Sequence, residues 1–158
     1  DRVRKESSCI ASDVTVGLHI RRGDKLIHEA RRFEVRDYMH HVDHFVHPER
    51  IYHNHYDKKY NATIFVATDE PNVVTELHHR DYSPYTILNS NHEGVDYTHP
   101  DHLRNLLAEL DCLVRSKFFV GTFSSQISRL VYELKMGHGA YQGKQLAVAS
   151  MDDDYYAS

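Results

Sequence analysis

From Val14 to Ile20 the chain is a short, mostly apolar and β-branched run, the pattern of a strand buried on both faces. A polar loop follows from Arg21 to about Arg32. Val35, Tyr38, Met39, Val42 and Phe45 then recur at the spacing of one helix face. Residues 47–61 are polar and irregular and read as a surface connection. Thr63 to Thr68 is a second strand, ended by Asp69-Glu70-Pro71, and that proline opens a helix at its first turn, where a missing N–H costs nothing. The helix extends to about Arg80 with Val73, Val74 and Leu77 inward. Tyr85 to Leu88 reads as a third strand, and His99 to Lys117 as a long helix with Leu103, Leu106, Leu107, Leu110, Leu113 and Val114 on one face. Phe118 to Thr122 is a fourth strand. Ser124 or Ser125 can cap the next helix, whose face is Ile127, Leu130, Val131 and Leu134. Gly137 and Gly139 are expected to stop that helix, and Leu146 to Ala149 to add a last strand before an acidic tail.

Four strand–helix alternations predict an α/β fold: an open, mostly parallel sheet with helices on both faces. In such sheets ligands bind at the carboxyl ends of the strands. Polar segments fall there after the first, second and fourth strands, and their convergence on one edge says more than any one of them. A length of 158 residues suits a single domain over residues 1–158. The net charge of -4 argues against a nucleic-acid partner, and no apolar run reaches membrane-spanning length. The charged opening Asp1-Arg2-Val3-Arg4-Lys5-Glu6 is no signal peptide, and a first strand so close to it predicts a domain cut from a longer protein. Cys9 and Cys112 are too few for a disulfide scaffold, and Cys112 reads as a small buried hydrophobe. The 14 histidines scatter without a zinc signature, so they read mostly as solvated surface and no metal is expected. His40 and His44 have the i,i+4 spacing but lack the glutamate of an H-E-x-x-H pattern.

Candidate chemistry lies in two loops. Arg21, Arg22 and Lys25 put three positive charges within five residues. Guanidinium forks match phosphate oxygens at two points, and lysine adds a mobile point charge. A solvated basic loop paired with Asp24 is the plainer alternative. Gly121-Thr122-Phe123-Ser124-Ser125-Gln126 leads from a strand into a helix, where backbone N–H groups and small hydroxyls suit an anion. Simple serine capping fits the same residues. Neither G-x-x-x-x-G-K-[ST] nor G-x-G-x-x-G is present, which disfavours a P-loop kinase and a dinucleotide oxidoreductase. Glu29 is a candidate general base. Asn61-Ala62-Thr63 is an N-glycosylation sequon, relevant in a secretory compartment.

Three segments taken together resemble the motifs of α1,6-fucosyltransferases, the enzymes that core-fucosylate N-glycans, and of related bacterial chitin-oligosaccharide fucosyltransferases. They are His19-Ile20-Arg21-Arg22-Gly23-Asp24-Lys25, Ala67-Thr68-Asp69-Glu70-Pro71, and Phe119 to Gln126 with Arg129 and Tyr132-Glu133. Asp152-Asp153 and Tyr155-Tyr156 are similar to the family's closing segment. The resemblance implies the Rossmann-like C-terminal half of a GT-B-type transferase that holds GDP-fucose without a metal or other cofactor. It implies guanine contact by His19, diphosphate contact by Arg21 and Ser125, and a donor pocket shaped by Asp24 and Lys25 and supported by Asp69. Arg22, Glu70, Ser124 and Gln126 belong to the same donor-binding loops. Arg21 and Lys25 would assist departure of the diphosphate, and Glu29 matches the base that deprotonates the acceptor 6-hydroxyl for inverting attack. Gly23 replaces the usual threonine, Glu70 a second aspartate, and Glu109 the aspartate that reads guanine, a role Asp111 can also fill. The acceptor, an N-glycan, would be held by a domain absent here, and the full-length protein would be a type II membrane protein of the Golgi. Weak or no transfer is expected from these residues alone. A protein O-fucosyltransferase, which shares the arginine motif, and a catalytically silent binding domain of the same fold are the alternatives.

Overall fold

The structure is a computed structural model and describes residues 13–22, 33–47, 61–89, 100–142 and 147–152. These form strands β1 (Val16–Ile20), β2 (Thr63–Thr68), β3 (Thr86–Asn89), β4 (Phe118–Gly121) and β5 (Ala147–Ser150). The helices are α1 (Val35–Val46), α2 (Pro71–His79), α3 (Pro100–Arg115) and α4 (Gln126–Gln142). Every strand pairing is parallel and the sheet order is β3-β2-β1-β4-β5, so all strands end on one edge, as the alternating pattern predicts. The order reverses between β1 and β4, the place where such sheets open a crevice.

Side chains alternate along a strand, so the two faces of β1 meet different cores. Val16, Leu18 and Ile20 pack with Val35, Val42 and Val73 of α1 and α2. Gly17 and His19 face α3 and α4, whose buried residues include Leu110, Leu113 and Val131. A Cβ on Gly17 would stand 2.9 Å from Ser116 Oγ and 3.1 Å from the Leu113 side chain. Glycine there lets α3 lie directly against the central strand.

α3 has 16 residues, roughly 24 Å of helix, and overhangs strands of four to six residues, roughly 13–20 Å. Its C-terminal half is therefore buried, through Leu110, Cys112 and Leu113, while Leu103 (62%) and Leu107 (56%) are exposed. The leucine face that the spacing predicts is therefore covered only in part, and Leu130 and Leu134 of α4 are likewise partly exposed. Lys135 of α4 is buried and donates to the Val114 carbonyl at 3.0 Å and the Ser116 carbonyl at 2.5 Å. These two bonds satisfy carbonyls at the end of α3 that the helix itself leaves open.

Three further expectations change. α4 runs through Gly137 and Gly139 to Gln142: a glycine in a helix costs only about 1 kcal/mol relative to alanine, too little to end a helix anchored upstream by the buried Ser128, Val131 and Lys135. Cys112 is buried as expected but is disulfide-bonded, so it is no free thiol. His40, His44, His78 and His79 are exposed, whereas His47 is buried beside Tyr85, whose hydroxyl donates to Asp43. Asn61 of the sequon is exposed immediately ahead of β2. Among the described residues no helix is long and apolar enough to cross a membrane.

Candidate functional site

The alternation of β1 continues past its end and separates the two arginines. Arg21 follows His19 to the α3–α4 side, and Arg22 follows Ile20 to the α1–α2 side. Arg22 is 3% exposed; its Nε donates to the Phe33 carbonyl at 3.1 Å and Nη1 to Glu76 Oε2 at 3.2 Å, with Glu34 Oε2 at 3.8 Å from Nη2. Its guanidinium ties the end of β1 to the start of α1 and to α2. The structure thus does not bring the Arg22 side chain to the face that carries His19 and Arg21.

Arg21 lies with Asp69, whose Oδ2 is 3.6 Å from Arg21 Nε and whose Oδ1 accepts the Arg22 backbone N–H at 3.3 Å. Asp69 comes from the adjacent β2 end and holds the backbone at Arg22, just past the end of β1. His19, Arg21, Asp69 and Glu109 line one cavity of about 220 Å³ between the strand ends and the overhanging half of α3. His102, Leu106 and Leu110 complete its α3 wall, and Ile127 of α4 contributes opposite. His102, Leu106, Glu109 and Leu113 recur at three- and four-residue steps, one helix stripe. Of the two acidic residues expected to read a base, Glu109 is on that stripe. Asp111 is paired outward with Arg115 at 2.7 Å.

His19 is buried, with Nδ1 2.7 Å from Ser128 Oγ. Burial, reinforced by the Arg21 guanidinium, brings its pKa down to about 4, so the imidazole is neutral at physiological pH.

Opposite β1, the β4–α4 turn is closed by the Ser125 N–H donating to the Thr122 carbonyl at 2.9 Å. Ser125 is 1% exposed and its Oγ makes no hydrogen bond among the described residues, so it does not cap α4. Asp152, just past β5, instead holds the turn ahead of the helix: its carboxylate accepts the Phe123 N–H at 2.6 Å and the Ser124 N–H at 2.8 Å. Ser150 Oγ donates to the same carboxylate at 2.5 Å. Burial alone would raise the Asp152 pKa, but the bonds from Ser150, Ser124 and Phe123 outweigh it and hold it below the ordinary carboxylate range. Backbone N–H groups open to an anion are therefore partly occupied, which leaves the Ser125 hydroxyl as an uncommitted donor of this turn.

Gln126 is exposed as the first residue of α4, and Glu70 stays with α2, where its Oε1 accepts from Asn72 Nδ2 at 3.2 Å. Neither lines the cavity. Asp24, Lys25 and Glu29 lie outside the described residues. Among the described residues no three His, Cys, Asp or Glu side chains converge as a metal-holding group. Sequence reasoning missed His102, Ser128 and the clamp by Asp152. The helical stripe through Glu109 could have given the first. The other two are contacts across 109 and 28 residues, and no local pattern encodes them.

Residues 8–156 match the family described as alpha-(1,6)-fucosyltransferase N- and catalytic domains. An alpha-(1,6)-fucosyltransferase of Caenorhabditis elegans is 32% identical over 89% of this chain, and one of Drosophila melanogaster 30% identical over 89%. The chain spans 25% and 22% of the length of those two relatives. Among solved structures, that of POFUT1 in complex with GDP shares the fold, with a TM-score of 0.55 at 12% identity over 93% of this chain and 44% of that one.

Proposed function

The chain belongs to the alpha-(1,6)-fucosyltransferase family, and from that premise we propose that it is the donor-binding part of a transferase using GDP-fucose. The observation that carries this reading is the cavity that gathers His19, Arg21, Asp69 and Glu109 from three elements onto one sheet edge. At about 220 Å³ it is smaller than the ~300–1,000 Å³ of a pocket that holds a whole drug-sized ligand. One flat base fits it, with the apolar wall of α3 against the ring and the diphosphate outside, between Arg21 and the Ser125 hydroxyl. Glu109 is an acceptor for guanine N1–H and the exocyclic amine.

Breaking the glycosidic bond builds charge on the departing diphosphate, and fixed cations aimed at that charge lower the barrier. Arg21 and Lys25 take this part, with Asp24 shaping the loop between them. Glu29 removes the proton from the 6-hydroxyl of the innermost N-acetylglucosamine of an N-glycan, which attacks the anomeric carbon in line and inverts it. No metal is required, since the cations come from side chains. The acceptor is held by a part of the protein beyond this chain, and the whole protein works in the Golgi lumen as a type II membrane protein. The disulfide at Cys112 supports an oxidising compartment.

Calorimetric titration tests the reading. GDP and GDP-fucose should bind with the same affinity with and without EDTA, and UDP at least about tenfold more weakly, a loss of about 1.4 kcal/mol. Loss of binding in EDTA, or equal affinity for UDP, overturns it. The 158 residues alone should transfer little or no fucose to an N-glycan acceptor.

A further inference from the structure

The second ring nitrogen of His19 and the hydroxyl of Ser128 together define which way a proton points into the cavity. Ser128 is fully buried, and its Oγ makes one hydrogen bond among the described residues, to His19 Nδ1 at 2.7 Å. A buried hydroxyl without an acceptor bears the whole desolvation penalty of its hydrogen. His19 Nδ1 is the acceptor within reach, so the Ser128 O–H donates to it. Nδ1 then carries a lone pair, and in a neutral imidazole the ring proton resides on Nε2. The ring is neutral, as its burial and the Arg21 charge require. The geometry is held by Gly121, where a Cβ would come 2.6 Å from Ser128 Oγ and 2.8 Å from the buried Phe119 ring, forcing the hydroxyl off the histidine.

We infer that Ser128 is a specificity-determining positioning residue: it fixes His19 as an N–H donor into the cavity and so selects a nucleobase with a carbonyl acceptor over one with an amino group. Guanine places its O6 acceptor where adenine carries an amino donor. An Nε2–H facing the first gains a bond. Facing the second, two donors meet and both lose their water. This consequence rests on the guanine-nucleotide reading above, whereas the ring protonation does not.

Two measurements on the 158-residue chain separate the two. Nitrogen-15 NMR of the histidine-labelled protein near neutral pH should show the His19 proton on Nε2, and a proton on Nδ1 overturns the inference. GDP and ADP are then titrated into the wild type and Ser128→Ala, with thermal melting as the check on folding. Ser128→Ala should cut the preference for GDP over ADP about tenfold, the worth of one hydrogen bond, and leave the His19 ring as a mixture of tautomers. A folded Ser128→Ala that keeps both the wild-type preference and the single Nε2–H tautomer overturns it. If wild type shows no preference for GDP, the functional reading fails, and the tautomer still decides whether Ser128 sets the ring.

Discussion

Arg21 and Arg22 leave β1 on opposite faces, and this gives two neighbouring arginines different physical work. Arg22 is enclosed by the Phe33 carbonyl, Glu76 and Glu34, so truncating it removes a buried cation and leaves those groups facing each other. Both carboxylates are partly solvated, which reduces the cost below the ~3–5 kcal/mol of a fully buried pair. Arg22→Ala should therefore lose about 2 kcal/mol of unfolding free energy in urea titration. Arg21, with its side chain 28% exposed at the cavity mouth, bonds loosely to Asp69. Arg21→Ala should change stability by less than about 0.5 kcal/mol, the usual range for surface changes, while weakening GDP binding at least about tenfold. Equal effects of the two variants on GDP affinity would show that the faces are wrongly assigned. The arginine motif was legible as a charged cluster, but the partition within it was not. The signal was present: strand parity carries odd positions from Gly17 to Arg21 toward α3 and α4, and even positions from Val16 to Arg22 toward α1 and α2.

At the scale of elements, the β4–α4 turn depends on a residue beyond the last strand. Asp152 holds the Phe123 and Ser124 N–H groups and so fixes the turn that carries the Ser125 hydroxyl. Asp152→Ala should speed amide hydrogen exchange at Phe123 and Ser124 while leaving α3 amides unchanged. Charge-assisted bonds are worth about 1.5–3 kcal/mol when enclosed, and partial exposure lowers this to about 1 kcal/mol of global stability. Unchanged exchange at both amides would rule the clamp out. The elements themselves were largely legible, because the periods of two and near four are set by which face is buried. Their bounds shifted by one or two residues, as Thr86–Asn89 did from Tyr85–Leu88. What local pattern could not give was length against a partner. α3 carries leucines enough for a continuous buried face, yet the short strands cover half of it and leave Leu103 and Leu107 in solvent. Nor could it tell that Gly137 would continue a helix, because the contacts that anchor α4 upstream, from Ser128 to His19 and from Lys135 to the end of α3, are made with other elements.

For the whole molecule, the placement of His19 couples the candidate site to stability. The unfolded chain binds a proton at this ring near pH 6.5, and the folded chain only near pH 4. Between these values the unfolded state holds a proton that the folded state lacks, so each fall in pH favours unfolding. The neutral-ring stability is fully present above about pH 6.5, declines through the interval, and is exhausted below about pH 4. The gap corresponds to about 3 kcal/mol, at roughly 1.4 kcal/mol per tenfold change in proton concentration. That is a large part of the ~5–15 kcal/mol total of an ordinary domain. Asp152 adds a loss of the same sign, but its pKa is depressed below 3.8, so its contribution fades only at lower pH. Lys135, lowered by burial to about 8, acts above that value, where rising pH favours the folded state. The three windows do not overlap. Urea titrations at about pH 7 and about pH 4.5 should thus show a loss in the wild type that His19→Gln abolishes. An equal loss in both proteins would mean that the folded ring takes up its proton as readily as the unfolded one, so that burial does not hold it neutral.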